Sequence, residues 1–496
     1  MRGEFLSMKE NTIFGGRVSF QKKLLYMCGN AGDSLPYALF YTYFMFYLTD
    51  VAGINSVIAG FIAGIAAFCD GAVDPALGIF SDKCYRKYGT RRPVMAKSLL
   101  PLCLVTIFMF LPFDLGGFGL IYYILISCCF VAMYSLFTMN YVSMGGEITD
   151  SPIERNNIRL ICSLSSPIWN YIGRGGPQIV QNALPNLDTR MQWFLVGLLV
   201  TSIYGLFSIV PIFVAKSKKQ VEEMRKTGKA DLIPEAEEDE GNGLGFVANL
   251  KSAMKLKPLR INCVMIVMYT LSEGFLYALI AYVLDYSVGL TAAQQATFYL
   301  IGSIFNYVGL LGGTWLANRF GKKLVFCGSF ALAAALCVVY FFIGMRTLAE
   351  SCVFYALWMC VETPFWALYC TNSFEIADLD EFLNGKRRTA LVQSMGSFFV
   401  KVGPTCSLIF TGVLLKAIGY VEGGAVQPES VATGLNTLVC IIPAICLGIG
   451  AIAFFKYPIN NRNQEALVKA LEAKKAGLPY SIEGFKELLP ADYTPQ

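Results

Sequence analysis

Histidine is absent from all 496 residues. That excludes a Ser–His–Asp triad, a His-ligated metal and a His proton relay, so any proton chemistry runs through carboxylates, Lys, Tyr or Cys. Charge is scarce too: Asp, Glu, Lys and Arg make up 15% of the chain, against about 25% in soluble domains. With 55% hydrophobic residues and a mean hydropathy of +0.52, the chain suits a bilayer rather than water. The 16 cysteines lie singly inside apolar runs (Cys28, Cys103, Cys162, Cys337 and Cys440 among them). Without framework spacing they imply neither a disulfide scaffold nor a zinc site. No compact basic patch with interleaved aromatics points to nucleic acid, and the net charge is only +5. Residues 1–23 are polar and basic and lack a signal-peptide core; Met8 is a second candidate start.

What the chain has in abundance is apolar stretches of about 20 residues, the length that crosses a hydrocarbon core. Twelve are expected, near 24–49, 55–80, 93–113, 119–145, 158–182, 192–215, 261–286, 293–317, 323–345, 348–375, 389–417 and 432–456. Lys and Arg crowd the even-to-odd connections: Lys83, Arg86, Lys87, Arg91 and Arg92; Arg155 and Arg159; Arg319, Lys322 and Lys323; Lys386, Arg387 and Arg388. The opposite connections hold few, such as Arg190 and Arg346. This asymmetry predicts that both termini are cytoplasmic.

The expected organisation is a cytoplasmic segment at 1–23, a six-helix bundle at 24–215, a linker at 216–258, a second bundle at 259–456 and a cytoplasmic tail at 457–496. A weak repeat supports the duplication. Ser81-Asp82-Lys83 and Gly89-Thr90-Arg91-Arg92 follow span two, and Asn318-Arg319-Phe320-Gly321-Lys322-Lys323 follows span eight. Duplicated six-helix halves with a site near the midplane are a transporter architecture.

Ionisable side chains inside spans cost about 2.5–3.5 kcal/mol each on insertion scales, so each is a candidate site residue. Asp70 and Asp74 are four apart and share a helix face, and Pro75 is expected to disfavour helix and bare the carbonyl of Gly71. Two acids with freed carbonyls suit a monovalent cation or a shared proton. Asp33 lies at mid-depth in span one, with Pro36 expected to free the carbonyl of Gly32 and the aromatic run 40–47 beyond it. Lys401 lies inside an apolar span and calls for an anionic partner, with Asp33, Asp70 and Asp74 the candidates. Glu273 and Glu362 read as a structural or gating pair. Arg174, flanked by glycines, reads as snorkelling or ion-paired, or as an anchor for an anionic solute.

These residues bring out a resemblance. Tyr26-Met-Cys-Gly-Asn-Ala-Gly32, Tyr47-Leu-Thr-Asp-Val-Ala-Gly53, Asp70-Gly-Ala-Val-Asp-Pro75 and the Ser81–Pro93 stretch resemble the glycoside–pentoside–hexuronide:cation symporters of the major facilitator superfamily. Further matches are Glu147-Ile-Thr-Asp150, Pro364-Phe-Trp-Ala367, Ala377-Asp-Leu-Asp-Glu381 with Gly385–Arg388, and Val400-Lys-Val-Gly403. The resemblance implies an all-α membrane protein of twelve helices in two bundles, the major facilitator fold. It implies a cation pair at Asp70 and Asp74, which would be metal ligands if the ion is Na+, and a functional lysine at Lys401. The chain departs from the family at Ser34, Thr138, Ser163 and Val73, where the melibiose permease has a sugar-binding acid, a second acid, an arginine and an asparagine. The transport scaffold therefore transfers and the galactoside pocket does not.

The expected function is a cation-coupled symporter importing a sugar, glycoside or sugar acid, not an enzyme. It needs no cofactor beyond H+ or Na+, works as a monomer in the lipid bilayer, and takes a small solute as its partner rather than nucleic acid. Asp70, Asp74, Ser135 and Thr138 are the candidate coupling residues. Asp33, Ser34, Tyr37, Tyr41, Asn140, Arg174, Trp366 and Lys401 are the candidate solute-binding residues. The alternatives are a lysolipid symporter on the same fold and a non-transporting sensor.

Overall fold

The structure is a computed structural model describing residues 18–149, 151–214, 253–385, 388–424 and 426–489. Residues 1–17, the expected linker up to 252, and Lys386 and Arg387 of the basic loop lie outside the described residues. The described residues form helices and no strands.

Span one is composite: α1 (Phe20–Met27), α2 (Asn30–Leu39) and two π turns, Phe40–Phe44 and Tyr47–Val51. Spans two to six are α3 (Ser56–Tyr88), α4 (Arg92–Met109), α5 (Gly119–Ile148), α6 (Pro152–Ala183) and α7 (Thr189–Val214). Span seven is α8 (Lys257–Tyr282), prolonged by a π turn at Val283–Ser287. Spans eight to twelve are α9 (Ala292–Phe320), α10 (Lys322–Ile343), α11 (Leu348–Asn384), α12 (Thr389–Ala417) and α13 (Glu429–Phe455), and α14 (Asn461–Lys475) lies in the tail. Ten of these spans are long and apolar enough by themselves to cross a membrane. The other two have evident reasons for falling short. Span one is cut into short pieces, and α6 carries Glu154, Arg155, Asn156, Asn157, Arg159, Arg174 and Gln178.

Two compact units result, one built on the first six spans together with Thr291–Leu300, the other on most of the last six. Each repeats the other's neighbours. In the first, span one packs on α6 and α7, and α4 packs on α5 and α7; in the second, α8 packs on α12 and α13, and α10 packs on α11 and α13. Small residues let backbones meet, as expected where lipid supplies no hydrophobic drive between helices. A Cβ on Gly173 would lie 2.8 Å from both the Leu35 carbonyl oxygen and the Ala38 Cβ. On α8 and α12 the contact is doubled: a Cβ on Gly403 would reach 2.1 Å from Thr270 Oγ1, and one on Gly274 would reach 2.2 Å from Ser407 Oγ.

Several expectations need correcting. The break expected at Pro75 is absent, because α3 runs unbroken from Ser56 to Tyr88. A single proline removes one backbone hydrogen bond, which a long, packed helix tolerates. α2 likewise runs through Pro36, and the irregular turns come after it. Lys83, Arg86 and Lys87 project from the end of α3 rather than from a loop. α11 continues past the expected boundary at 375 to Asn384. The tail docks on that extension. Gln464 donates to Asp378 (3.0 Å), Lys474 to the Phe382 carbonyl (2.9 Å), Lys475 pairs with Glu381 (2.6 Å), and Phe485 stands edge-on to Phe382 at 5.0 Å.

Candidate functional site

The first unit gathers its acids around spans one, two and four. Because α3 is continuous, Asp70 and Asp74 lie one turn apart on one face. Asp70 is buried and accepts a hydrogen bond from the Ser135 hydroxyl of α5. From the preceding residue of α5, the Tyr134 hydroxyl donates to Asp33 Oδ1 at 3.3 Å. Thr138 stands beside the same carboxylate without completing a hydrogen bond. Tyr37 and Tyr41 close the group from span one: their rings are 4.3 Å apart, Tyr37 is 6.3 Å from the Tyr134 ring, and the Tyr41 hydroxyl lies within electrostatic range of Asp70 and Asp74. Ser34 is half-buried next to Asp33. Three carboxylates and three phenols thus meet in an apolar half, an arrangement that can hold a cation or proton and hydrogen-bond a hydroxylated solute against aromatic rings.

The second unit has its own polar lattice, on spans seven and ten. Trp366 Nε1 donates to Glu273 Oε1 at 3.1 Å, and the Tyr277 hydroxyl donates to Glu362 Oε1 at 2.7 Å. The Tyr269 hydroxyl donates to the Glu362 backbone carbonyl at 3.2 Å. Lys401 is half-buried on α12, where its carbonyl accepts from Thr405 at 2.8 Å.

Among the described residues, no three Asp, Glu, Cys or His side chains converge closely enough to hold a metal ion.

The family model described as MFS/sugar transport protein matches residues 25–461. The chain belongs to the MFS/sugar transport protein family. Members of this major facilitator family are transporters, and the protein is accordingly a multi-pass membrane transporter of small solutes rather than an enzyme. Among MFS relatives, the uncharacterized symporter YjmB of Bacillus subtilis (strain 168) is 25% identical over 96% of this chain and 100% of its own length. The isoprimeverose transporter of Lactiplantibacillus pentosus is 22% identical over 94% of each chain. The fold matches a bacterial homologue of the human lysosomal transporter Spinster in an inward-facing, unoccupied conformation, with TM-score 0.62 and 12% identity, over 90% of this chain and 97% of that one.

The duplication expected of an MFS protein exposes what a residue-by-residue reading passes over. Asp33…Tyr37-Ala-Leu39 in span one matches Glu273…Tyr277-Ala-Leu279 in span seven. Phe137…Tyr141…Glu147-Ile148…Asp150 matches Phe365…Tyr369…Glu375-Ile376…Asp378 at identical spacing. In that register Tyr134 corresponds to Glu362 and Thr138 to Trp366. Four positions of the first unit's polar group, Asp33, Tyr37, Tyr134 and Thr138, thus recur in the second as Glu273, Tyr277, Glu362 and Trp366. Tyr134, one tyrosine in an aromatic-rich span, carries no local signal, and only the repeat singles it out.

Within the first unit, two candidates fall outside this cluster. The Asn140 side-chain oxygen accepts from Ser81 (2.7 Å), itself held by Arg91 (2.6 Å), and the Asn140 amide donates to the Leu136 carbonyl (2.7 Å). That asparagine links the ends of spans two, three and four. Arg174 is 7% exposed, so it does not snorkel to a surface; its carbonyl accepts from the Tyr43 hydroxyl at 2.6 Å, two to three turns along span one from Asp33.

Proposed function

We propose that this protein is a secondary active symporter that imports a sugar, glycoside or sugar acid with a cation by alternating access. The observation that carries the reading is the meeting of Asp33, Asp70 and Asp74 with Tyr37, Tyr41 and Tyr134 inside one half of an MFS/sugar transport protein. Relatives named symporter and isoprimeverose transporter support it.

In this reading Asp70 and Asp74, with the Ser135 hydroxyl, bind the coupling ion. H+ is the ion inferred, because Val73 supplies no amide oxygen between the acids. Asp33, Ser34, Tyr37 and Tyr41 take the solute's hydroxyls and ring faces, Tyr134 orients Asp33, and Trp366 is the aromatic candidate of the second unit. Lys401 balances buried carboxylate charge, and Arg174 is a structural residue unless the solute is anionic. The protein works as a monomer in the cell's inner membrane with both termini cytoplasmic.

The test is uptake by proteoliposomes of a panel of neutral and acidic sugars under separately imposed H+ and Na+ gradients. A sugar accumulated under the H+ gradient supports the reading; Na+-stimulated, pH-insensitive flux reassigns the ion. Uptake of no sugar under either gradient overturns symport.

A further inference from the structure

A cavity of about 270 Å3 lies in the second unit, at the end of the helices remote from the Glu273 lattice. It forms where the ends of α9 and α13, the first turns of α10 and α14, and the flank of α11 converge. Its charged lining consists of Lys322, Lys323, Arg462 and Glu375, three cations against one carboxylate. Lys322 Nζ is hydrogen-bonded to Glu375 and, at 3.2 Å, to Thr371 Oγ1; Lys323 Nζ donates to the Tyr457 carbonyl at 2.7 Å. An ammonium carries three donors, so neither lysine is exhausted by these bonds. The N-cap of α10, Gly321, supplies no side-chain cap, and Gly321, Lys322 and Lys323 of that helix start line the cavity.

The deciding feature is Tyr457. Its ring is stacked on Phe454 at 4.6 Å, the residue is 2% exposed, and it lines the cavity. Its hydroxyl has no hydrogen-bond partner among the described residues. A buried phenol without a partner is costly, whereas one that a ligand satisfies is not.

We propose that this cavity binds a phosphate group, carried either by a lipid headgroup or by a soluble phosphate. Several donors from separate chain segments converge there, as the several oxygens of phosphate require and a single carboxylate does not. Phe320, which lines it, is 54% exposed, and Phe455, next to the lining Phe454, is 72% exposed under Lys323 Nζ at 5.6 Å. Such exposed rings belong against acyl chains at a membrane interface, where headgroup phosphates lie.

The experiment uses the full chain purified in detergent, as wild type, Tyr457→Phe and Arg462→Gln. In one arm inorganic phosphate is titrated against thermal unfolding. In the other, native mass spectrometry counts retained phosphatidylglycerol against a phosphate-free galactolipid. Tyr457→Phe keeps the ring, so without ligand it is expected to be at least as stable as wild type. The expected result is phosphate-dependent stabilisation or selective phospholipid retention in wild type, weakened about tenfold in each variant. A response to inorganic phosphate alone assigns a soluble ligand, and retention of phosphatidylglycerol alone assigns a headgroup. No response in wild type, or responses identical in all three proteins, overturns the proposal.

Discussion

Trp366 and Glu273 are joined by an indole N–H donated across 3.1 Å from span ten to span seven. One turn along, the direction reverses: Tyr277 of span seven donates to Glu362 of span ten at 2.7 Å. Each helix thus contributes one acid and one aromatic donor at spacing i, i+4, and the antiparallel pair is fastened twice. Neither acid needs a basic partner for this role, which explains how two glutamates are accommodated so deep in an apolar half.

The reciprocal bonds are expected to be measurable. A double-mutant cycle of Tyr277→Phe and Glu362→Gln should give a coupling free energy of about 0.5–1.7 kcal/mol, the range found for hydrogen bonds between membrane helices. Unfolding in detergent with a chemical denaturant reads it. Additive losses would show that the 2.7 Å contact contributes nothing specific.

For coupling, Asp70→Asn and Asp74→Asn should each abolish uphill accumulation of solute while leaving solute exchange partly intact. Counterflow in proteoliposomes separates the two. If both variants concentrate solute like the wild type, the acids are structural and the assignment of the coupling site fails.

Where α11 ends and α12 begins, Arg388 grips Asp380 with two bonds, 2.7 and 2.6 Å, and Asp380 is fully buried. The Asp380 carboxylate holds the guanidinium proton affinity above its ordinary value. Arg388→Ala removes the cation from that buried carboxylate, leaving the Asn384 amide as a donor to it, and should cost about 3–5 kcal/mol. Adding Asp380→Asn should recover part of the loss. A single variant with unchanged melting temperature would refute the pairing.

Glu154 provides a pH test. The hydrogen bond from Lys23, at 2.7 Å, holds its carboxyl below the ordinary value of 4.5, aided by the Val18 N–H and Asn157. A depressed folded-state value means the contribution is fully present above 4.5 and is lost as pH falls through the lowered value. Stability of the wild type should therefore decline at acid pH below 4.5 more steeply than that of Glu154→Gln. Parallel acid limbs for the two proteins would contradict it.

Much of the fold was legible because bilayer thickness writes itself into sequence as apolar runs. The i, i+4 acids were legible for the same reason, being expensive where they stand. Proline misled: at Pro75 the missing bond is one among many in a 33-residue helix, and packing outweighs it. Arg174 reads from the sequence as free to snorkel, but a side chain's burial depends on which neighbour its face meets, which sequence position alone does not tell. Asn140 belongs to the same class: its partner Ser81 is 59 residues away. Tyr134 was hidden by abundance, since in a chain with 26 tyrosines none stands out until the halves are aligned.

The doubled glycine contact between α8 and α12 acts like a key in a slotted shaft. With Gly403 against Thr270 and Gly274 against Ser407, sliding either helix by one residue would drive a side chain into a space that holds none. The two close contacts therefore oppose shear between these two spans. Lys401, two residues before Gly403, is carried wherever Glu273 goes. A motion that moved the Lys401 turn relative to the Glu273 turn would have to break both contacts, as two marks scribed on one shaft part only if the shaft does.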